Sequence, residues 1–196
     1  KSPLSFHPIA LIFGLLSFVS YLVEGAVGDW SALYLFEDKG IVIEEAVMGV
    51  MLFNGTMCIG RLLGNRLGKH LTSKQVVVGG YLLGSIAMGL IVFLPGHASM
   101  YTYLLLGISL AMIVPNLFSA MGEQNVIPMT QAVATSTMLG YMGILMGPAL
   151  IGFIAHGTSL TVAFIVLTTL LVVSAGVGKY AYHLMSKDCG LSEEQI

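Results

Sequence analysis

The chain has 196 residues, of which 56% are hydrophobic and 9% charged, and a formal net charge of −2. Water-soluble domains carry about a quarter charged residues, so this composition excludes an ordinary soluble fold. The near-neutral balance, with no basic patch, also gives no footing for nucleic-acid binding.

Uninterrupted apolar runs far longer than a barrel strand of about 10 residues indicate membrane helices, giving an all-α polytopic fold. A span takes about 20 apolar residues, which leaves room for roughly six: Pro8–Phe36, Ala46–Leu63, Gln75–Leu94, Met100–Met121, Val133–Ala155 and Leu160–Leu184. Charged, Pro or Gly clusters separate them at Glu37–Glu45, Asn65–Lys74, Pro95–Ser99, Gly122–Gln131 and His156–Ser159. No soluble domain or linker interrupts this pattern, so residues 1–196 read as one bundle. Lys1–Phe6 lacks the layout of a targeting peptide, and the chain reads as a fragment.

The first span carries the deepest acid. Glu24 falls close to the midplane of a hydrocarbon layer about 30 Å thick, where an ionisable side chain marks a functional cavity by default. Ser17, Tyr21, Glu24, Gly28 and Ser31 share a stripe at three- and four-residue spacing. Asp29 points about 140° away from Glu24, so the two acids are candidates without being a pair. Gly25 and Gly28 favour an unwound segment facing a water-filled cavity, while Trp30 and Tyr34 fit an interfacial aromatic belt. The plainer reading of Glu24 is a protonated or hydrogen-bonded packing residue.

The second span contributes Asn54 and Thr56 and runs into Gly60-Arg61-Leu62-Leu63-Gly64-Asn65-Arg66-Leu67-Gly68-Lys69-His70. With Lys74, this region holds four of the eight Lys and Arg residues. Together with Lys1, Lys179 and Lys187 they place both termini of this segment on the cytoplasmic side, with Lys39 alone opposite.

In the fourth span Pro115-Asn116 removes a backbone hydrogen bond and kinks the helix, so that freed carbonyls and the Asn116 amide are candidates for the pathway. The fifth span offers Ser136, Thr137 and Tyr141. Its Gly140, Gly143 and Gly147 lie close to one face and admit another helix at backbone distance. Isolated hydroxyls and amides in spans are more often structural bonds to a neighbouring helix.

Cys58 and Cys189 have no CxxC or metal spacing, and His7, His70, His97, His156 and His183 form no i, i+4 pair. No nucleophile elbow, phosphate loop, metal site or cofactor motif is present, so an enzyme has no support.

Three stretches carry a resemblance: Glu24–Leu35, Gly60–His70 and Gly140–Gly152. The chain resembles the C-terminal six-helix half of a major facilitator superfamily transporter along essentially its whole length. Glu24–Leu35 is similar to bacterial sugar- and drug-type members near the fucose-permease-like group. Within Gly60–His70, the residues Arg66, Gly68 and Lys69 match the family's cytoplasmic loop motif. Asn65 stands where the motif has an acid, Gly60 is one position early, and Arg61 and Gly64 belong to the same segment. The resemblance implies two inverted three-helix repeats, about 8–94 and 100–184. It also implies a missing N-terminal six-helix half and a pathway lined by the first, second, fourth and fifth spans.

The expected function is a secondary transporter of a small organic solute, sugar-like or drug-like, with protons as possible coupling ions, in a bacterial inner membrane. Glu24 is the expected proton or solute contact, supported by Tyr21, Asp29, Asn54, Asn116 and Tyr141. Two other classes compete: a self-contained six-helix channel, though no charged stripe suited to a pore ring is evident, and a non-transporting membrane scaffold.

Overall fold

The computed structural model describes residues 7–67 and 71–189, and every regular element among them is helical. These are α1 (Pro8–Glu37), α2 (Ile43–Leu67), α3 (Ser73–Phe93), α4 (Gly96–Leu110), α5 (Ile113–Glu123), α6 (Met129–Gly157) and α7 (Leu160–Cys189). Taken together, α4 and α5 form one crossing, so six stretches are long and apolar enough to span a membrane. Glycine opens the first turn: Gly40 adopts a φ of 69°, a left-handed conformation free of Cβ penalty that turns the chain from α1 into α2.

The fourth span departs from a simple kink. It breaks at Ala111 and Met112 into α4 and α5. Pro115 donates no hydrogen bond to residue 111, and its ring crowds that carbonyl.

Two expectations for α1 are corrected. Gly25 and Gly28 do not unwind it, because the helix is continuous from Pro8 to Glu37. A Cβ on Gly25 would stand 2.9 Å from the Ile144 carbonyl oxygen, so this glycine admits the α6 backbone. Tyr34 does not join an interfacial aromatic belt, and Trp30 carries a polar contact within the bundle. Trp30 Nε1 donates to the Pro148 carbonyl at 2.9 Å, and the fully buried Tyr34 stacks on Phe164 with ring centroids 4.2 Å apart. Contacts inside the bundle thus enclose the Tyr34 ring.

α1 is the hub and packs chiefly on α6. The α6 glycines make that contact possible: a Cβ on Gly147 would lie 2.5 Å from the Leu22 carbonyl oxygen, and one on Gly143 would overlap that of Phe18. On another side, Tyr81 of α3 donates to the Leu16 carbonyl at 2.7 Å and meets Ser20 Oγ at 2.8 Å.

The other principal pairs are α3 with α7 and α2 with α4. Exchanging the first span with the fourth, the second with the fifth and the third with the sixth maps the first–fifth contact onto the second–fourth. The third–sixth contact returns to itself, which is the pairing that two inverted repeats require.

Lys39 lies outside the spans. Its ammonium donates to the Val92 and Leu94 carbonyls at 2.6 and 2.9 Å, closing the C-terminus of α3 where a cation is favoured. It also sits 5.3 Å from the centre of the Tyr34 ring. Burial lowers its pKa from 10.5, with neighbouring Asp38 opposing the shift.

Candidate functional site

Glu24 sits near the middle of the 30-residue α1, where its carboxylate meets a cation from α2. Arg61 Nη2 is 3.1 Å from Oε2 and 3.4 Å from Oε1 of Glu24. The side chains are 43% and 22% exposed, respectively. The pair therefore borders open space instead of being sealed in the core.

Arg61, grouped by sequence with the basic loop motif although it lies inside the second span, is a helix residue paired with α1. Gly60, Arg61 and Gly64 all lie inside α2, which continues to Leu67 because nothing between Ile43 and Leu67 breaks it. Gly60 fits against Ala111 and Ile108, and Gly64 against Met112. Their lack of side chains lets α2 close on the broken fourth span while Arg61 turns to α1. Gly68 and Lys69 fall outside the described residues, as do the side chains of Asn65 and Arg66.

Two tyrosines complete the cluster. The rings of Tyr21 on α1 and Tyr141 on α6 stack nearly parallel, 6° apart with centroids separated by 6.3 Å. Gly140 makes room for Tyr21, since a Cβ there would stand 2.7 Å from its ring. Tyr21 also borders both Glu24 and Arg61. Tyr21, Glu24, Arg61 and Tyr141 thus converge from three helices, presenting an acid, a guanidinium and two phenols. Such a site can exchange a proton on the carboxylate, donate hydrogen bonds from the guanidinium, and offer aromatic faces to an organic solute.

The remaining candidates lie apart from this cluster. Asn54 is exposed on α2, two turns before Arg61 on the same face and about 10 Å away along the axis. Its amide nitrogen donates to Val50 in its own helix. Asp29 is exposed on α1. Asn116 departs from the expected orientation: its side-chain amide donates to Met112 at the break, and its carbonyl accepts from Ser73 Oγ. Both Asn116 groups thus have partners within the bundle, and the Met112 carbonyl accepts from the Asn116 backbone as well.

Sequence reasoning missed Arg61 as a partner of Glu24. Its seven-residue spacing from Asn54, which keeps both on one α2 face, was the available signal. Among the described residues no group of three or more His, Cys, Asp or Glu could hold a metal ion.

No family model matches the chain. It is similar to an uncharacterized MFS-type transporter of Yersinia pestis, 41% identical over 168 residues covering 84% of this chain and 43% of the relative. It is also similar to the membrane protein MosC of Rhizobium meliloti, 31% identical over 85% of this chain and 42% of that protein. The chain therefore spans less than half the length of these curated relatives. Among solved structures, the E. coli fucose:proton symporter superposes with a TM-score of 0.76 at 16% identity, over 88% of this chain and 42% of the symporter. Six apolar spans, their symmetric pairing, this superposition and the Yersinia similarity agree: the chain belongs to the major facilitator superfamily, as a six-helix half of that fold.

Proposed function

We propose that this chain is the C-terminal half of a secondary transporter that moves a small organic solute, sugar-like or drug-like, in symport with protons across a bacterial inner membrane. The supporting observation is the Glu24–Arg61 pair, partly open, near the middle of α1 and on the same helix as Tyr21, whose ring stacks on Tyr141. An intramembrane acid with a cationic partner is expected at a proton or substrate pathway. Residues 8–94 and 100–184 act as the inverted repeats, with both termini of the segment cytoplasmic. An N-terminal six-helix half supplies the other wall, and rocking between halves gives alternating access. Tyr21 and Tyr141 contact solute directly. Asn54, and Asp29 farther along α1, extend the contact surface, while Asn116 acts at the joint in the fourth span.

The test uses the full-length protein in proteoliposomes, beginning with L-fucose, because the structural neighbour is a fucose:proton symporter, and extending to other sugars and organic solutes. Saturable uptake driven by an imposed proton gradient is expected. In Glu24→Gln, solute exchange persists at equal pH while proton-driven accumulation is lost. Accumulation at the wild-type level in that variant would remove Glu24 from the coupling step, and single-channel conductance would replace the transporter with a channel.

A further inference from the structure

The Glu24–Arg61 contact uses only part of the guanidinium. Both carboxylate oxygens of Glu24 lie against Nη2, at 3.4 and 3.1 Å. Arginine is a fork of donors with no acceptor, and its Nε and Nη1 here bond nothing among the described residues. The side chain is 43% exposed, so the unused donors are open to a further acceptor.

Other charges stand away from the pair. Among the described residues, the acids, lysines and histidines of α3 to α6 lie in the first or last turns of those helices, and those of α7 in its second half. Asp29 is about 7.5 Å farther along α1 than Glu24 and faces about 140° away. The titratable neighbours are Tyr21, one turn before Glu24, Tyr141 of α6, which stacks on Tyr21, and the exposed Cys58, one turn before Arg61. With Glu24 ionised the pair is neutral. Once Glu24 takes a proton, Arg61 is left as an uncompensated cation inside a span, which is costly unless an anion joins it.

Two further groups give that anion its form. Asn54 shares the α2 face of Arg61, and because its nitrogen donates to the Val50 carbonyl, its Oδ1 is left to accept from a hydroxyl. Tyr141 is largely exposed and offers a ring face to a carbon skeleton. We infer that the solute is a hydroxylated carboxylate of the sugar-acid class, whose carboxylate binds Arg61 as Glu24 takes up a proton. The inference deepens the proton-coupled transport reading above and rests on it.

The exchange balances at each step. A proton from water bonds to a Glu24 oxygen and Nη2 is released. The solute carboxylate then accepts from Nη1 and Nη2 together, the two-bond geometry that a guanidinium favours with a carboxylate. A solute hydroxyl donates to Asn54 Oδ1, and the body of the solute lies on Tyr141. Proton and anion enter as a neutral sum, so neither burdens the span with net charge. On the other side of the membrane the proton leaves for water, and ionised Glu24 reclaims the guanidinium and expels the anion.

The experiment is calorimetric titration of the full-length protein with D-glucuronate, D-galacturonate and D-gluconate, in buffers of different ionisation heat, alongside uptake into proteoliposomes. At least one of the three is expected to bind with uptake of one proton per anion, and in Glu24→Gln to bind with none. Arg61→Lys keeps the charge opposite Glu24 and loses the planar fork, so it should weaken binding about tenfold or more. Uptake of the same anion should follow a pH gradient and ignore an imposed membrane potential, because the symported pair is neutral. If L-fucose or another neutral sugar accumulates and none of the three anions binds, the sugar-acid assignment is overturned while the transporter reading stands. Anion binding that takes up no proton, or that Arg61→Lys leaves at wild-type strength, overturns it as well. If no solute, neutral or anionic, accumulates on a proton gradient, the transport reading fails and the inference fails with it.

Discussion

Gly147 of α6 and Leu22 of α1 meet backbone to backbone: a methyl group on Gly147 would stand 2.5 Å from the Leu22 carbonyl oxygen. The obstacle is main chain, which a rotamer change cannot move aside. Gly147→Val is therefore expected to destabilise the protein by about 1–3 kcal/mol or more through overpacking, read as a fall in Tm in detergent. At Gly28, where an added Cβ has open space, Gly28→Ala should leave Tm within a degree or two or raise it, since alanine favours a helix by about 1 kcal/mol. Equal effects at the two positions would disprove the close seam.

The Glu24–Arg61 contact lends itself to a double-mutant cycle. Glu24→Gln, Arg61→Gln and the double variant should give a coupling energy near the lower end of the 0.5–3 kcal/mol range for contacting residues, because Arg61 is 43% exposed. Additive changes in Tm would mean the two side chains do not interact.

Lys39 makes a pH prediction. Burial lowers its folded-state pKa below 10.5, so between the lowered value and 10.5 the unfolded chain binds more protons than the folded one, and stability rises with pH across that window. The Tm of wild type relative to Lys39→Met should therefore increase on passing upward through it. A gap that narrows with rising pH would reverse the assignment of burial as the dominant cause.

Pro115→Ala restores a backbone N–H opposite the Ala111 carbonyl. Continuous helix across residues 111–116 is expected, with slower amide hydrogen exchange there. If exchange at 112–114 is unchanged, the proline is not the cause of the break.

Much of the fold was legible because span length and hydrophobicity are properties of the chain itself. Six apolar helices, the glycine face of α6 and the mid-helix position of Glu24 all follow from apolar runs and a helical repeat. What stayed hidden depended on partners from elsewhere in the sequence. Arg61 groups with a basic loop motif at the end of its span, yet its partner is a carboxylate on α1. Tyr34 reads as an interface ring until Phe164, 130 positions later, covers it. Asn116 reads as a pathway amide, but the broken turn beside it offers a nearer acceptor. The site was thus half visible: Tyr21, Glu24 and Tyr141 fall together, while their cation was assigned elsewhere.

The polar bonds that hold α1 lie on either side of its centre. Tyr81 binds the Leu16 carbonyl, and Trp30 reaches Pro148. The two fastenings are fourteen residues, or about 21 Å, apart along the axis. Between them Ser20 also meets the Tyr81 hydroxyl, and beyond it the helix rests on apolar and glycine contacts, with the Glu24–Arg61 bridge as its tether to α2. α1 therefore behaves as a beam pinned at two points with Glu24 near midspan. The α6 backbone supports that midspan closely on one side, at Phe18, Leu22 and Gly25, so the face of Glu24 is the one left with room to give.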